Sequence, residues 1–165
     1  MSTRRELTTS LLSLSFAATA QTEKPETIPE DSELSARIIS YTLFGEARGE
    51  TLKGKMAIAA VIHTRANLKN KSYAEICLQE AQFSCWNKLD GVPANYSTGI
   101  DMLPIDVKAR NECYCVAWLL ISGQYKWESL THFYNPDKVT PAWAVSLRRT
   151  QKIGKHIFGY SHIIP

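Results

Sequence analysis

Apolar positions recur at helical spacing over residues 33–47, where Leu34, Ile38 and Tyr41 form a stripe that Ile39 and Leu43 widen. The spacing predicts an amphipathic helix. Gly45 and Gly49 bracket Glu46 and mark the end of that helix, so Glu46 is expected at a helix terminus rather than on a long solvated face. A second helix is predicted from about Leu52 to Ala66. Its Met56 to Ile62 run is apolar on nearly every side, the pattern of a buried central helix in a small α domain. Ser72-Tyr73-Ala74-Glu75 matches a capping box and should open a short third helix ending near Gln79. Residues 82–96 hold Gly91, Pro93 and three aromatic residues without periodicity, which reads as a surface loop. Asp106 can cap a long helix to about Ser122, with Gly123 as its stop. Residues 131–136 read as short and extended. Thr140-Pro141 supplies an N-cap followed by proline at the first helical position, which predicts a helix through about Arg149. The pattern gives a mostly α, single compact domain with long loops and at most a small β element.

Composition narrows the classes. At 165 residues, the chain suits one domain with a short extension, and 44% hydrophobic with 21% charged residues is ordinary for a globular protein. The net charge is +3 without a Lys/Arg run, which argues against nucleic acid but would help docking on an anionic polymer. No apolar stretch reaches the roughly 20 residues needed to cross a bilayer, so stable membrane insertion is not expected. Arg4 and Arg5 precede a mildly apolar run ending in Ala18-Thr19-Ala20, the parts of an export signal. A disordered tail fits the same residues, because Ser and Thr dilute the run and Glu6 interrupts its basic flank. Residues 1–32 are therefore expected to be signal or tail plus linker, and residues 33–165 the working domain, acting as a monomer. Cys77, Cys85, Cys113 and Cys115 contain no Cys-x-x-Cys pair, so neither zinc nor another metal is expected. Cys77 and Cys85 could close a small loop in an exported protein; buried thiols are the alternative. No cofactor motif is present.

Three segments could carry chemistry. A glutamate beside Leu43 and Phe44, with glycines leaving room for a ligand, has the surroundings of a general acid whose pKa desolvation raises. Glycoside cleavage needs such an acid to protonate the departing oxygen. The alternative for Glu46 is a solvated helix-end carboxylate paired with Arg48 or Lys53. Gln82-Phe83-Ser84-Cys85-Trp86-Asn87 combines aromatic faces that can stack on sugar rings with amide and hydroxyl groups that can orient them; Phe83 and Trp86 could equally complete the core. Thr131-His132-Phe133-Tyr134-Asn135-Pro136, with Trp143 behind it, is the third cluster, in which His132 could bind substrate or be a buried structural histidine. His63, His156 and His162 lack metal-ligand spacing.

In order along the chain, Ala36-Arg37-Ile38-Ile39, Phe44-Gly45-Glu46-Ala47-Arg48-Gly49-Glu50 and Lys53 to Ile62 are followed by Gln82 to Trp86, Thr131 to Pro136 and Ile153 to Phe158. Together these pieces resemble the SleB-type cell-wall hydrolases, the family that includes spore-cortex-lytic enzymes. The Gly-Glu-Ala-Arg-Gly-Glu block is the specific part. The resemblance implies a lysozyme-like α+β domain that cuts peptidoglycan glycan strands between N-acetylmuramic acid and N-acetylglucosamine. It also implies lytic transglycosylase chemistry, in which one glutamate, Glu46, suffices because the muramoyl C6 hydroxyl replaces water. A hydrolytic route with Glu50 assisting stays open. Glu50, Gln82, Phe83, Ser84, Trp86, His132, Tyr134, Asn135 and Trp143 are the expected substrate-binding residues. Thr64 stands where the family commonly has asparagine, and Tyr134 stands at a position where a second histidine would have had a role. An exported enzyme would remodel the wall from the periplasm or outside the cell. Without a signal, the chain would suit a phage lysin.

Overall fold

The computed structural model describes residues 30–89, 92–93 and 106–163. Among the described residues four helices build the body: α1 (Glu30–Ala47), α2 (Leu52–Lys69), α3 (Tyr73–Leu78) and α4 (Val107–Ile121). Strands β1 (Lys88–Leu89) and β2 (Val92–Pro93) form a minimal antiparallel ladder. Strands β3 (His132–Tyr134), β4 (Arg148–Ile153) and β5 (His156–Tyr160) form an antiparallel sheet in the order β3-β5-β4. Single-turn 3-10 segments span Ser84–Trp86 and Ala142–Ser146.

The helices begin and end where local chemistry dictates. Ser72 accepts a bond from the Glu75 amide while the Glu75 carboxylate takes the Ser72 amide, completing the reciprocal cap of α3. Asp106 accepts from the Ala109 amide at 2.9 Å and starts α4. Asn70, in the left-handed region, closes α2 by donating its amide to the Ala66 carbonyl. Helix α2 is the central element: Ile58, Ala59, Val61 and Ile62 are fully buried. Each large aliphatic side chain so placed contributes roughly 1.5–3 kcal/mol. Helix α1 packs on α3 and α4 as well as on α2, and its Ile39 and Leu43 are fully buried.

Lys55, 2% exposed, is the unexpected core member. Its ammonium donates to the Glu50 carbonyl at 2.9 Å and to Glu112 Oε2 at 2.8 Å, tying the α1–α2 connection and α4 to α2. A lysine is tolerated at that depth because its charge is paired and its ammonium makes two hydrogen bonds. Lys55 in turn holds the Glu112 carboxyl below its ordinary range, first through their hydrogen bond.

Two sequence expectations need correction. Residues 140–149 do not form a helix: a 3-10 turn over Ala142–Ser146 gives way to β4 at Arg148. Pro141 precedes the turn without a side-chain cap, and Val145 is 93% exposed, so the segment has no buried stripe to hold a helix. Its downstream half gains more by pairing with β5, across a bulge between Arg148 and Gln151 where Arg149 has φ +54°. Helix α1 also begins earlier than the helix expected over residues 33–47, at Glu30. The export-signal expectation for the first residues lies outside the described residues. Among the described residues no helix is long and apolar enough to cross a membrane.

Candidate active site

One face of α1 organises the site. Thr42 and Glu46 are a turn apart, so their side chains share that face. Thr42, fully buried, donates to the Ile38 carbonyl at 2.9 Å and accepts the Trp86 indole N–H at 2.8 Å. The Cys85 thiol points at the Thr42 carbonyl at 3.9 Å. This seats the 3-10 turn beside the end of the helix. There Glu46 Oε1 accepts from Ser84 Oγ at 3.0 Å and from the Cys85 amide at 2.9 Å. Among the described residues Glu46 Oε2 accepts no hydrogen bond. The carboxylate is half-buried, with one oxygen fixed by the protein and the other left for a ligand.

Glu46 opens into a cleft of about 500 Å³. Gln82 and Ser84 line it, together with His132, Phe133, Tyr134 and Asn135 of the β3 segment and Trp143. The Trp143 ring lies 4.8 Å from that of His132 and 5.7 Å, edge-on, from that of Tyr134, giving a continuous aromatic surface of the kind that stacks on sugars. Glu46 is the only carboxylate among the described residues that line the cleft.

Beneath the cleft lies Arg65, 4% exposed, at the end of the apolar face of α2. Its guanidinium donates to the Thr131 carbonyl at 2.7 Å and to Gln82 Oε1 at 3.1 Å, and sits 5.6 Å from the centre of the Phe83 ring. Burial draws its pKa down to about 10, so it stays charged at neutral pH. The bond from Arg65 fixes which end of the Gln82 amide is the oxygen, and the NH2 end carries two donors. His132 is also deeply placed, at 3% exposure. Thr131 Oγ1 donates to the Ser161 carbonyl and accepts the Ser161 amide, so it meets His132 Nδ1, 2.9 Å away, as an acceptor. The network assigns the Nδ1 proton and leaves Nε2 as the imidazole's acceptor. Burial first, and the Arg65 charge second, bring the His132 pKa down to about 4.

The structure thus brings Glu46, Gln82, Ser84, His132, Tyr134, Asn135 and Trp143 together around one cleft. It places three expected binding residues elsewhere. Phe83, 1% exposed, stacks on Phe133 and belongs to the core. Trp86 is turned toward Thr42 and packs against the core. Glu50 lies beneath the β4–β5 turn, its side chain 6% exposed, taking the Lys155 amide at 3.2 Å. Arg65, Thr42 and His156 were not among the expected site residues. His156 lines the cleft; a lone histidine in a glycine-containing tail gave no sign of it. Cys77 and Cys113 are buried, and burial pushes both thiols up to about 12.

The sequence model of the Cell Wall Hydrolase family matches residues 49–159, more than half of the chain. This chain belongs to the cell wall hydrolase family. The matched span starts just past Glu46, so the case for that residue rests on the geometry above. The chain is 34% identical over 125 residues to a spore cortex-lytic enzyme of Bacillus subtilis, covering 74% of this chain and 36% of the relative. It is 30% identical over 142 residues to one of Halalkalibacterium halodurans, covering 84% and 39%. The chain therefore spans well under half the length of these curated relatives. The fold is similar to the catalytic domain of the germination-specific lytic transglycosylase SleB from Bacillus anthracis, with a TM-score of 0.56 at 20% identity over 83% of this chain and 100% of that one. The catalytic domain of the Bacillus cereus SleB protein gives a TM-score of 0.56 at 24% identity, over 78% and 91%. These neighbours establish the α+β fold expected from the sequence.

Proposed function

We propose that this cell wall hydrolase cleaves peptidoglycan glycan strands between N-acetylmuramic acid and N-acetylglucosamine as a lytic transglycosylase, with Glu46 as its one catalytic carboxyl group. The observation that carries the reading is the lone carboxylate at the mouth of an aromatic-walled cleft. Ordinary glycosidases place two carboxyl groups across the scissile bond, one to protonate the leaving oxygen and one to attack or to activate water. Here the second role falls to the substrate.

With Oε1 accepting from Ser84 and Cys85, the proton of the acid form sits on Oε2. Oε2 gives it to the departing glycosidic oxygen as the bond to the muramoyl C1 breaks. The resulting carboxylate then takes the proton from the muramoyl C6 hydroxyl, whose oxygen closes on C1 to form the anhydro ring. One proton leaves Glu46 and one returns, and no water is consumed. Arg65 holds Gln82, the Thr131 network holds His132, and Trp143 with Tyr134 offers a stacking surface for the sugar. The net charge of +3 favours approach to an anionic wall.

The test is turnover of purified peptidoglycan by Glu46→Gln, which keeps the size and the bonds to Ser84 and Cys85 but removes the transferable proton. A loss of at least 10²-fold is expected, the usual contribution of a positioned general acid. Turnover equal to that of the parent protein would remove Glu46 from the mechanism.

A further inference from the structure

The two-residue turn Gly154-Lys155 between β4 and β5 is built over a carboxylate. Glu50, the residue just before the N-cap of α2, receives the Lys155 amide at 3.2 Å on Oε2 and 3.4 Å on Oε1. The next residue, His156, places Nδ1 3.3 Å from Glu50 Oε1. Nδ1 is sealed from solvent and, although it lies this close to Glu50, makes no hydrogen bond. Glu50 is nevertheless the anion it faces, at close range. The edges of Phe133 and Phe158 pack against the imidazole at 5.6 and 6.1 Å and limit the ring's tilt. With Nδ1 sealed and 13% of the side chain still exposed, His156 meets the cleft by its other edge.

We propose that Glu50 and His156 form a substrate-facing pair, in which His156 accepts a hydrogen bond from the glycan through Nε2 and Glu50 is the positioning residue that holds the proton on Nδ1. The inference rests on the glycan-cleaving reading above. The chemistry follows from the two ring nitrogens: an anion beside Nδ1 stabilises the tautomer protonated there, leaving the Nε2 lone pair for a sugar hydroxyl or acetamido N–H. Hydrogen bonds at such sites are often long or poorly aligned before substrate binds and tighten in the complex, which is the state of the Nδ1–Glu50 approach. Glu50 thereby has a role from beneath the sheet, without touching substrate.

Two measurements on the whole chain decide it. Nitrogen-15 imidazole shifts of His156 should report the Nδ1-protonated tautomer, and adding a chito-oligosaccharide to Glu46→Gln protein should move the Nε2 signal. An Nε2-protonated ring would overturn the proposal, as would an Nε2 signal that stays still while other cleft resonances move. In peptidoglycan turnover, Glu50→Gln and His156→Ala should each lose roughly 10-fold, and the double variant should lose no more than His156→Ala alone. Losses that multiply would show Glu50 acting independently of His156 and refute the pair. A parent protein that cleaves no peptidoglycan would refute the proposed function instead, while the tautomer would still decide the Glu50–His156 contact.

Discussion

Replacing Gly154 by alanine tests the turn that joins the sheet to Glu50, and Gly123 supplies the control. Both glycines have left-handed backbones, φ +58° and +66°. An alanine in that region costs about 1–2 kcal/mol at either position. The surroundings differ. A Cβ at Gly123 meets nothing within 4 Å, whereas one at Gly154 would overlap the Glu50 carboxylate. That carboxylate is flanked by the Lys155 amide and His156, so it must leave its place. Losing a hydrogen bond to a charged group adds about 1.5–3 kcal/mol. Gly154→Ala should therefore lose about 2.5–5 kcal/mol and Gly123→Ala about 1–2 kcal/mol. Urea unfolding at equal m values reads the difference directly. Equal losses would mean that Glu50 moves aside freely and that its carboxylate is not constrained by the turn.

Other expectations follow from single residues. Arg65→Met should cost about 2–3 kcal/mol in thermal or urea melts, because the buried Thr131 carbonyl loses its donor; a loss within 0.5 kcal/mol, the range of an ordinary surface change, would contradict the bonding described. Trp143 is 37% exposed and lines the cleft. Trp143→Ala should leave the melting temperature nearly unchanged and raise KM for peptidoglycan several-fold, whereas an altered kcat at constant KM would argue against stacking. His132 sets a pH dependence. Its pKa is about 4 in the fold against 6.5 without perturbation, so between those values the unfolded chain binds the extra proton. Stability is full above pH 6.5 and falls as the pH drops toward 4. His132→Gln should flatten that part of the stability curve, and an unchanged slope would show that His132 is not the group responsible.

The helices were legible because their signals are local. The capping box at Ser72 and Glu75 and the Asp106 cap need only four neighbouring residues, and the apolar run of α2 announces its burial. Residues 140–149 misled for the opposite reason. Thr140-Pro141 is a sound helix opening, but Arg148–Ile153 pairs with a strand that only the folded chain brings alongside. The same division runs through the site. Glu46, Ser84 and His132 stood in recognisable clusters. Whether an aromatic residue within a cluster faces ligand or core is set by tertiary packing, and Phe83 and Trp86 turned inward. Lys55 and Arg65 were least legible. Their most distant partners lie 57 and 66 positions away, and in the sequence a buried lysine looks like a solvated one.

In the proposed mechanism Glu46 acts alone and the sugar supplies its own nucleophile. Mass spectrometry of the fragments released from purified peptidoglycan tests both halves at once. The parent protein should release glycan fragments ending in 1,6-anhydro-muramic acid, and Glu46→Gln should release almost none. Fragments with ordinary reducing ends would show that water completes the reaction, and undiminished release by Glu46→Gln would show that the acid lies elsewhere.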